Sequence, residues 1–139
     1  MPNMALVDAG PLIALFDRDD KQHEKVKNFI AKKACKFVST TAVLTEVLHM
    51  LDFNIKAQIN FLEWVMVEGL ILWDARPQDI PRIIELTKKY ADRPMDFADA
   101  TLVNAAEKTG IKSILSLDAD FAIYRLPGKV KIKNIFSES

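Results

Sequence analysis

The sequence predicts an α/β fold with a mainly parallel central sheet and helices on both of its faces. Three observations predict it. Short apolar runs without alternation, such as residues 4–7 and 70–73, read as strands covered on both sides. Segments with apolar residues at helical spacing lie between those runs. Strands alternating with helices imply right-handed crossovers, which make neighbouring strands parallel and place helices above and below them.

The elements follow in order. Residues 4–7 form a first strand that ends in Asp8-Ala9-Gly10-Pro11. Gly10 and Pro11 turn the chain, and Pro11 suits the first turn of a short helix over 12–16. Residues 20–34 read as an amphipathic helix with Val26, Phe29 and Ile30 inward and Lys25, Lys27, Lys32 and Lys33 outward. Phe37-Val38 is a brief second strand. Thr40 or Thr41 caps the next helix, in which Val43, Leu44, Val47, Leu48 and Leu51 recur at helical spacing.

Residues 55–67 form another helix, and 70–73 a third strand. After Pro77 a helix runs to about Tyr90. Residues 95–109 form a helix with Phe97, Ala98, Leu102, Ala105 and Ala106 on one face, and Gly110 is placed to stop it. A strand over 113–117 leads to Asp118. The alternating run over 130–135, with Lys131 and Lys133 on one side, suits a strand at a sheet edge. With no repeat, low-complexity segment or linker, residues 1–139 read as a single domain.

Positive and negative side chains balance at 19 each, so net charge favours no partner. A dedicated duplex-DNA binder would carry a basic excess. The single cysteine, Cys35, excludes an internal disulfide and a cysteine-based zinc site, and it reads as a small buried or half-buried thiol. No basic segment leads into an apolar run at the N-terminus. The most apolar stretch, 61–73, is broken by Glu63 and Glu68 and is too short to span a bilayer. A soluble, cytoplasmic protein without membrane contact is expected. Neither His23 nor His49 forms a metal-ligand pair or stands beside a Ser or Cys in a catalytic motif. Both read as structural or surface histidines.

The chemistry gathers on carboxylates. Asp8 sits where the first strand leaves the sheet, and Asp118 sits at the same end of a later strand. In open parallel sheets the carboxyl ends of the strands line the functional crevice. Glu46 lies on the margin of a buried helical face. Asp96 and Asp99, three apart in the first turn of their helix, project on the same side. Each acid also has a local role open to it: Asp8 and Asp118 as turn formers or caps, Asp96 and Asp99 as complements to the helix dipole, and Glu46 as a solvated carboxylate. Taken together, four or five converging carboxylates would repel one another and bind protons unless a cation neutralised them. Mg²⁺ or Mn²⁺, which prefer oxygen ligands, would do so and would support phosphodiester hydrolysis.

These segments resemble PIN-domain nucleases. Leu6-Val7-Asp8-Ala9-Gly10-Pro11-Leu12-Ile13 resembles the opening of that family, whose first metal-binding Asp ends the first strand. Thr45-Glu46-Val47 resembles the helix that carries its Glu. Met95-Asp96-Phe97-Ala98-Asp99-Ala100-Thr101-Leu102 is similar to its third acidic segment, and Ser116-Leu117-Asp118-Ala119-Asp120-Phe121 to its fourth. The resemblance spans nearly the whole chain and implies a three-layer α/β/α sandwich with Mg²⁺- or Mn²⁺-dependent endoribonuclease activity. It implies Asp8, Glu46, Asp99 and Asp118 as catalytic and metal-binding residues, with Asp96, Ser116 and Asp120 auxiliary. Ser116 stands where the family usually has Thr, and its hydroxyl can still donate to a carboxylate. The compact prokaryotic members are mostly VapC-type toxins, which implies an RNA substrate, a small antitoxin partner and a homodimer. Arg18, Lys21, Arg93 and Arg125 lie near the acidic segments and are candidates for binding phosphates.

Two other classes compete. A haloacid-dehalogenase-type phosphatase needs a second Asp two residues after the first, where this chain has Gly10, and a response-regulator receiver needs paired acids where this chain has Val7 before Asp8. The same resemblance also admits a stand-alone RNA-processing nuclease or a non-catalytic binding module, although all four family acids are present. Residues 53–73 supply aliphatic and aromatic side chains that suit either a dimer face or the core.

Overall fold

The computed structural model describes residues 3–93 and 95–138. The first apolar run forms strand β1 (Asn3–Val7) and passes directly into helix α1 (Ala9–Phe16). The helix starts earlier than Gly10-Pro11 suggested, because the Asp8 carboxylate accepts the Ala9 N–H at 2.8 Å and acts as its cap. Helix α2 (His23–Lys32) is shorter than its amphipathic pattern and is tied to α1 by His23, whose Nδ1 donates to the Ala14 carbonyl at 2.7 Å. Strand β2 (Cys35–Thr40) again runs straight into a helix, α3 (Thr41–Met50), capped by the Thr40 hydroxyl. Helix α4 (Ile55–Met66), capped by Asn54, leads to β3 (Leu70–Trp73).

After a short 3₁₀ turn come α5 (Ile80–Lys89) and α6 (Phe97–Thr109). Gly110, at φ 79°, ends α6 in the left-handed conformation that glycine adopts at least cost. Strand β4 (Ser113–Leu115) stops two residues short of the expected end. The expected last strand divides in two. Its first part, β6 (Val130–Lys131), pairs antiparallel with β5 (Arg125–Leu126), and its second, β7 (Lys133–Asn134), joins the main sheet. One continuous strand could not satisfy both partners, so the pairing changes at buried Ile132.

The main sheet has the order β3-β2-β1-β4-β7, and its four pairings are all parallel. The chain steps outward from β1 to β3, then returns to lay β4 on the other flank of β1. Right-handed crossovers therefore put α1 to α4 on one face and α5 and α6 on the other. The helix packing agrees, with α1 against α2, α3 and α4, and α5 against α6. The result is three layers. Leu12, Val26, Val47 and Phe61 fill the space on one side, and Leu86, Leu102 and Val103 on the other, all fully buried. Truncating one of these, as in Leu102→Ala, is expected to cost about 2–5 kcal/mol.

Helix α6 is not amphipathic. Residues Ala98 through Ala106 are all buried, whereas Phe97, expected on its inner face, is 56 % exposed. Phe97 is the first helical residue and stands beyond the end of the sheet, beside Thr45 and Glu46. No described helix is long and apolar enough to cross a membrane.

Candidate active site

The order of the sheet reverses between β1 and β4, and a crevice forms outside the carboxyl ends of strands at such a point. Asp8 follows the last residue of β1 directly, held there by its own N–H donating to the Leu115 carbonyl of β4 at 3.1 Å. Ser116 follows β4 directly and is buried. Its hydroxyl lies 3.3 Å from Asp8 Oδ2 and 3.5 Å from Asp118 Oδ1, so its single proton can serve either carboxylate. The same oxygen accepts the Asp118 N–H at 3.3 Å. Asp118 Oδ1 in turn accepts the Asp120 N–H at 3.0 Å, which folds the 118–120 segment back towards the cleft.

Two further acids come from α6. Asp96 caps that helix, accepting the Asp99 N–H at 2.9 Å, and this orders the turn that presents Asp99. Asp99 Oδ2 accepts a hydrogen bond from the Tyr124 hydroxyl at 3.0 Å. Glu46, in the middle of α3, completes the group from the opposite layer, and α3 packs against α6. All seven residues singled out in the sequence are thus linked, by hydrogen bonds or by the charges they exert on one another, at the carboxyl end of the sheet.

Electrostatics record the crowding. Asp8 and Asp99 are each only 8 % exposed. Burial raises the Asp8 carboxyl from the ordinary 3.8 to about 6, with the charges of Asp118 and Glu46 adding to it against the bonds from Ala9 and Ser116. Burial and the charges of Asp96 and Asp8 push Asp99 up to about 7, although the Tyr124 bond pulls the other way. Glu46 is raised by burial and then by Asp96 and Asp118, and Asp120 by burial and then by Asp118. Burial and the Asp99 charge push the Tyr124 hydroxyl far above its usual range, so it remains a donor.

Among the described residues, no three His, Cys, Asp or Glu side chains close on one point as an ion cage. The acids form an oxygen-only cluster in which Asp8 and Asp99 are buried and Glu46, Asp96 and Asp118 are exposed. That donor set fits a hard divalent cation, which would favour the ionised forms of Asp8 and Asp99 against their burial and the neighbouring charges, and could keep part of its water shell.

Two residues of the site were not singled out from the sequence. Tyr124 is fully buried and orients Asp99. Asn134, on the edge strand β7, clamps the Ser116 backbone: its Oδ1 accepts the Ser116 N–H at 3.3 Å and its Nδ2 donates to the Ser116 carbonyl at 3.0 Å. Tyr124 lies four residues after Asp120 in a segment already marked by acids, a weak cue. Asn134 offers none. Of the basic candidates, Arg93 and Arg125 line one cavity, whereas Arg18 sits in a separate hollow beside Phe16 and Phe53, and Lys21 is exposed.

Comparison with known proteins agrees with this architecture. Among solved structures the chain is similar to VapC20 of Mycobacterium tuberculosis, described as a sarcin-ricin loop cleaving toxin. The TM-score is 0.75 at 20% identity, over 85% of this chain and 92% of that one. A toxin–antitoxin complex from Klebsiella pneumoniae matches with a TM-score of 0.66 at 18% identity, over 94% and 99% of the two chains. PAE2754 from Pyrobaculum aerophilum matches with a TM-score of 0.63 at 18% identity, over 96% and 89%. No curated protein matches the chain in sequence. The profile of the PIN domain matches residues 5–126, which run from within β1 through β5 and include α1 to α6 and every acid of the cleft. The chain belongs to the PIN domain family.

Proposed function

We propose that residues 1–139 form a single nuclease domain that hydrolyses RNA phosphodiester bonds with the help of Mg²⁺ or Mn²⁺. The observation that carries this reading is the meeting of acids from four separate chain segments at the sheet's reversal point, with Asp8 and Asp99 pushed to about 6 and 7. Asp8, Glu46, Asp99 and Asp118 would hold the ion, which when bound supplies Lewis acidity for phosphodiester hydrolysis. The chain's own residues do the positioning. The Ser116 hydroxyl keeps Asp8 and Asp118 facing each other, Asp96 orders the helix start beneath Asp99, and Asp120 adds negative charge at the rim. Tyr124 holds one oxygen of Asp99, which fixes the direction of that carboxylate.

The chain would act in the cytoplasm as the toxin of a toxin–antitoxin pair, a reading supported by its likeness to VapC20 and to the Klebsiella complex. A homodimer is supported by the apolar stripe on α4, where Ile55, Ile59, Leu62 and Met66 recur on one face and all are exposed.

Cleavage of defined RNAs with Mn²⁺ and with EDTA tests the activity. Cleavage is expected only with the ion, and Asp8→Asn should lower the rate at least about a hundredfold, as loss of a preorganised electrostatic group does. Undiminished cutting in EDTA, or by the variant, overturns the proposal.

A further inference from the structure

Beside the acidic cleft lies a second, chemically opposite feature. The end of α5, the turn over 91–93, and β5 with the turn that follows it line an open cavity of about 710 Å³. Among the described residues, its walls carry Arg82, Lys89, Arg93, Arg125 and Lys129 against a single acid, Asp92. The chain as a whole is neutral, so this is a local concentration of charge.

The cations differ in how far they are satisfied. Arg82 is held by Glu107, donating through Nε and Nη2, and forms wall more than site. Arg125 donates through Nη1 to the carbonyls of Ala122 and Tyr124, which anchors the guanidinium and leaves its remaining donors for a ligand. Lys89 lies over the Tyr90 ring at 5.3 Å. Arg93 and Lys129 are exposed, and neither forms an ion pair among the described residues. Lys129 is also held at φ 63°, directly after Gly128 at φ 76°. A left-handed lysine is an uncommon backbone state, which here places a charged residue on the cavity rim.

The cavity and the cleft share a wall. Tyr124 donates to Asp99 on one side, and the next residue, Arg125, lines the cavity on the other. The Arg125 N–H donates to the Tyr90 hydroxyl at 2.9 Å, and the Tyr90 and Tyr124 rings meet edge to face at 5.0 Å. This wall is therefore tied together by a hydrogen bond and a ring contact. A cleft lined by acids repels a polyanion, so a strand entering it gains from cations placed one step away.

We propose that this cavity seats an internal phosphate of the RNA strand, beside the phosphodiester that lies in the acidic cleft. The inference rests on the nuclease reading above but is tested without cleavage. The measurement is fluorescence anisotropy of a labelled single-stranded RNA in EDTA across a salt series. It compares the parent, the double variant Arg93→Gln with Lys129→Gln, and a control, Lys25→Gln with Lys27→Gln, on the exposed face of α2.

The cavity variant should weaken binding about tenfold and flatten the salt dependence by roughly 0.7 for each phosphate that is no longer neutralised, while the control stays within about twofold of the parent. The weakening should be the same for RNA with a 5′-hydroxyl and with a 5′-phosphate. Three results overturn the proposal: unchanged affinity in the cavity variant, equal weakening in the control, or weakening confined to 5′-phosphorylated RNA. Weakened binding in a protein whose parent never cuts RNA would defeat the nuclease reading and leave the cavity assignment standing. Unchanged binding with Asp8-dependent cleavage would do the reverse.

Discussion

The acidic cleft and the cationic cavity stand on either side of Tyr124 and Arg125, yet they are built by opposite rules. Apart from Glu46 in the middle of α3, the acids are short side chains that follow strands or begin helices, and each of Asp8, Asp96 and Asp118 also bonds a backbone N–H. They are positioned by the sheet and by the helices packed on it. The free cations are long side chains on exposed turns, reaching inward from the surface. Burying like charges in one place needs a scaffold that holds them there, because separating them would lower the energy. Gathering exposed cations needs no such scaffold, since water screens them. The cleft is accordingly where substitutions should stop chemistry, and the cavity where they should weaken attachment.

The largest expected effect separates the two directly. Asp99→Asn should lower cleavage at least about a hundredfold while RNA affinity in EDTA holds or rises, because a negative charge leaves the binding surface. If affinity fell with the rate, cleft and cavity would not be distinct in function.

A smaller effect concerns the scaffold. Asn134→Ala removes the partner of the Ser116 N–H and carbonyl. It should cost about 1–3 kcal/mol, seen as a lower midpoint in urea unfolding, with reduced cleavage and little change in RNA affinity.

The cleft should also leave a signature in stability against pH. Asp8 and Asp99 titrate at about 6 and 7 in the folded chain and near 3.8 when unfolded. The folded state thus holds their protons more tightly, so stability falls as pH rises from about 4 through 7 and levels beyond. A divalent cation binds the ionised acids, so its stabilising effect on Tm should be greater at pH 8 than at pH 5. Equal Tm gains at both would break the link between raised acids and ion binding.

The smallest effect is expected from Tyr124→Phe. Losing the hydroxyl removes a bond that lowers the Asp99 carboxyl, so the acid limb of the pH–rate profile should move to higher pH with a several-fold drop in rate. An unmoved profile would reduce Tyr124 to a packing residue.

Much of this was written locally. The apolar runs at 4–7 and 70–73, a threonine cap at 40 or 41 and the Gly110 stop all depend on neighbours a few residues away, and all appear in the structure, with Thr40 as the cap. The acids were legible for the same reason, since each sits at a strand end or on a helix that its own segment defines. The elements that departed from expectation were those whose environment is distant. Phe97 is exposed at the first position of α6, beside Thr45 and Glu46, and the run over 130–135 divides because two different strands compete for it.

The sequence by itself determined the alternation of strands and helices, the parallel sheet, and the acids at its carboxyl edge, because periodicity and capping act over a turn or two of chain. Only the tertiary structure decided that Tyr124 holds Asp99, that Asn134 clamps Ser116, and that Arg93 joins Arg125 around one cavity. Those pairs are 25, 18 and 32 positions apart, at spacings no local pattern encodes, and they meet only because the crossovers and the edge strand bring them together.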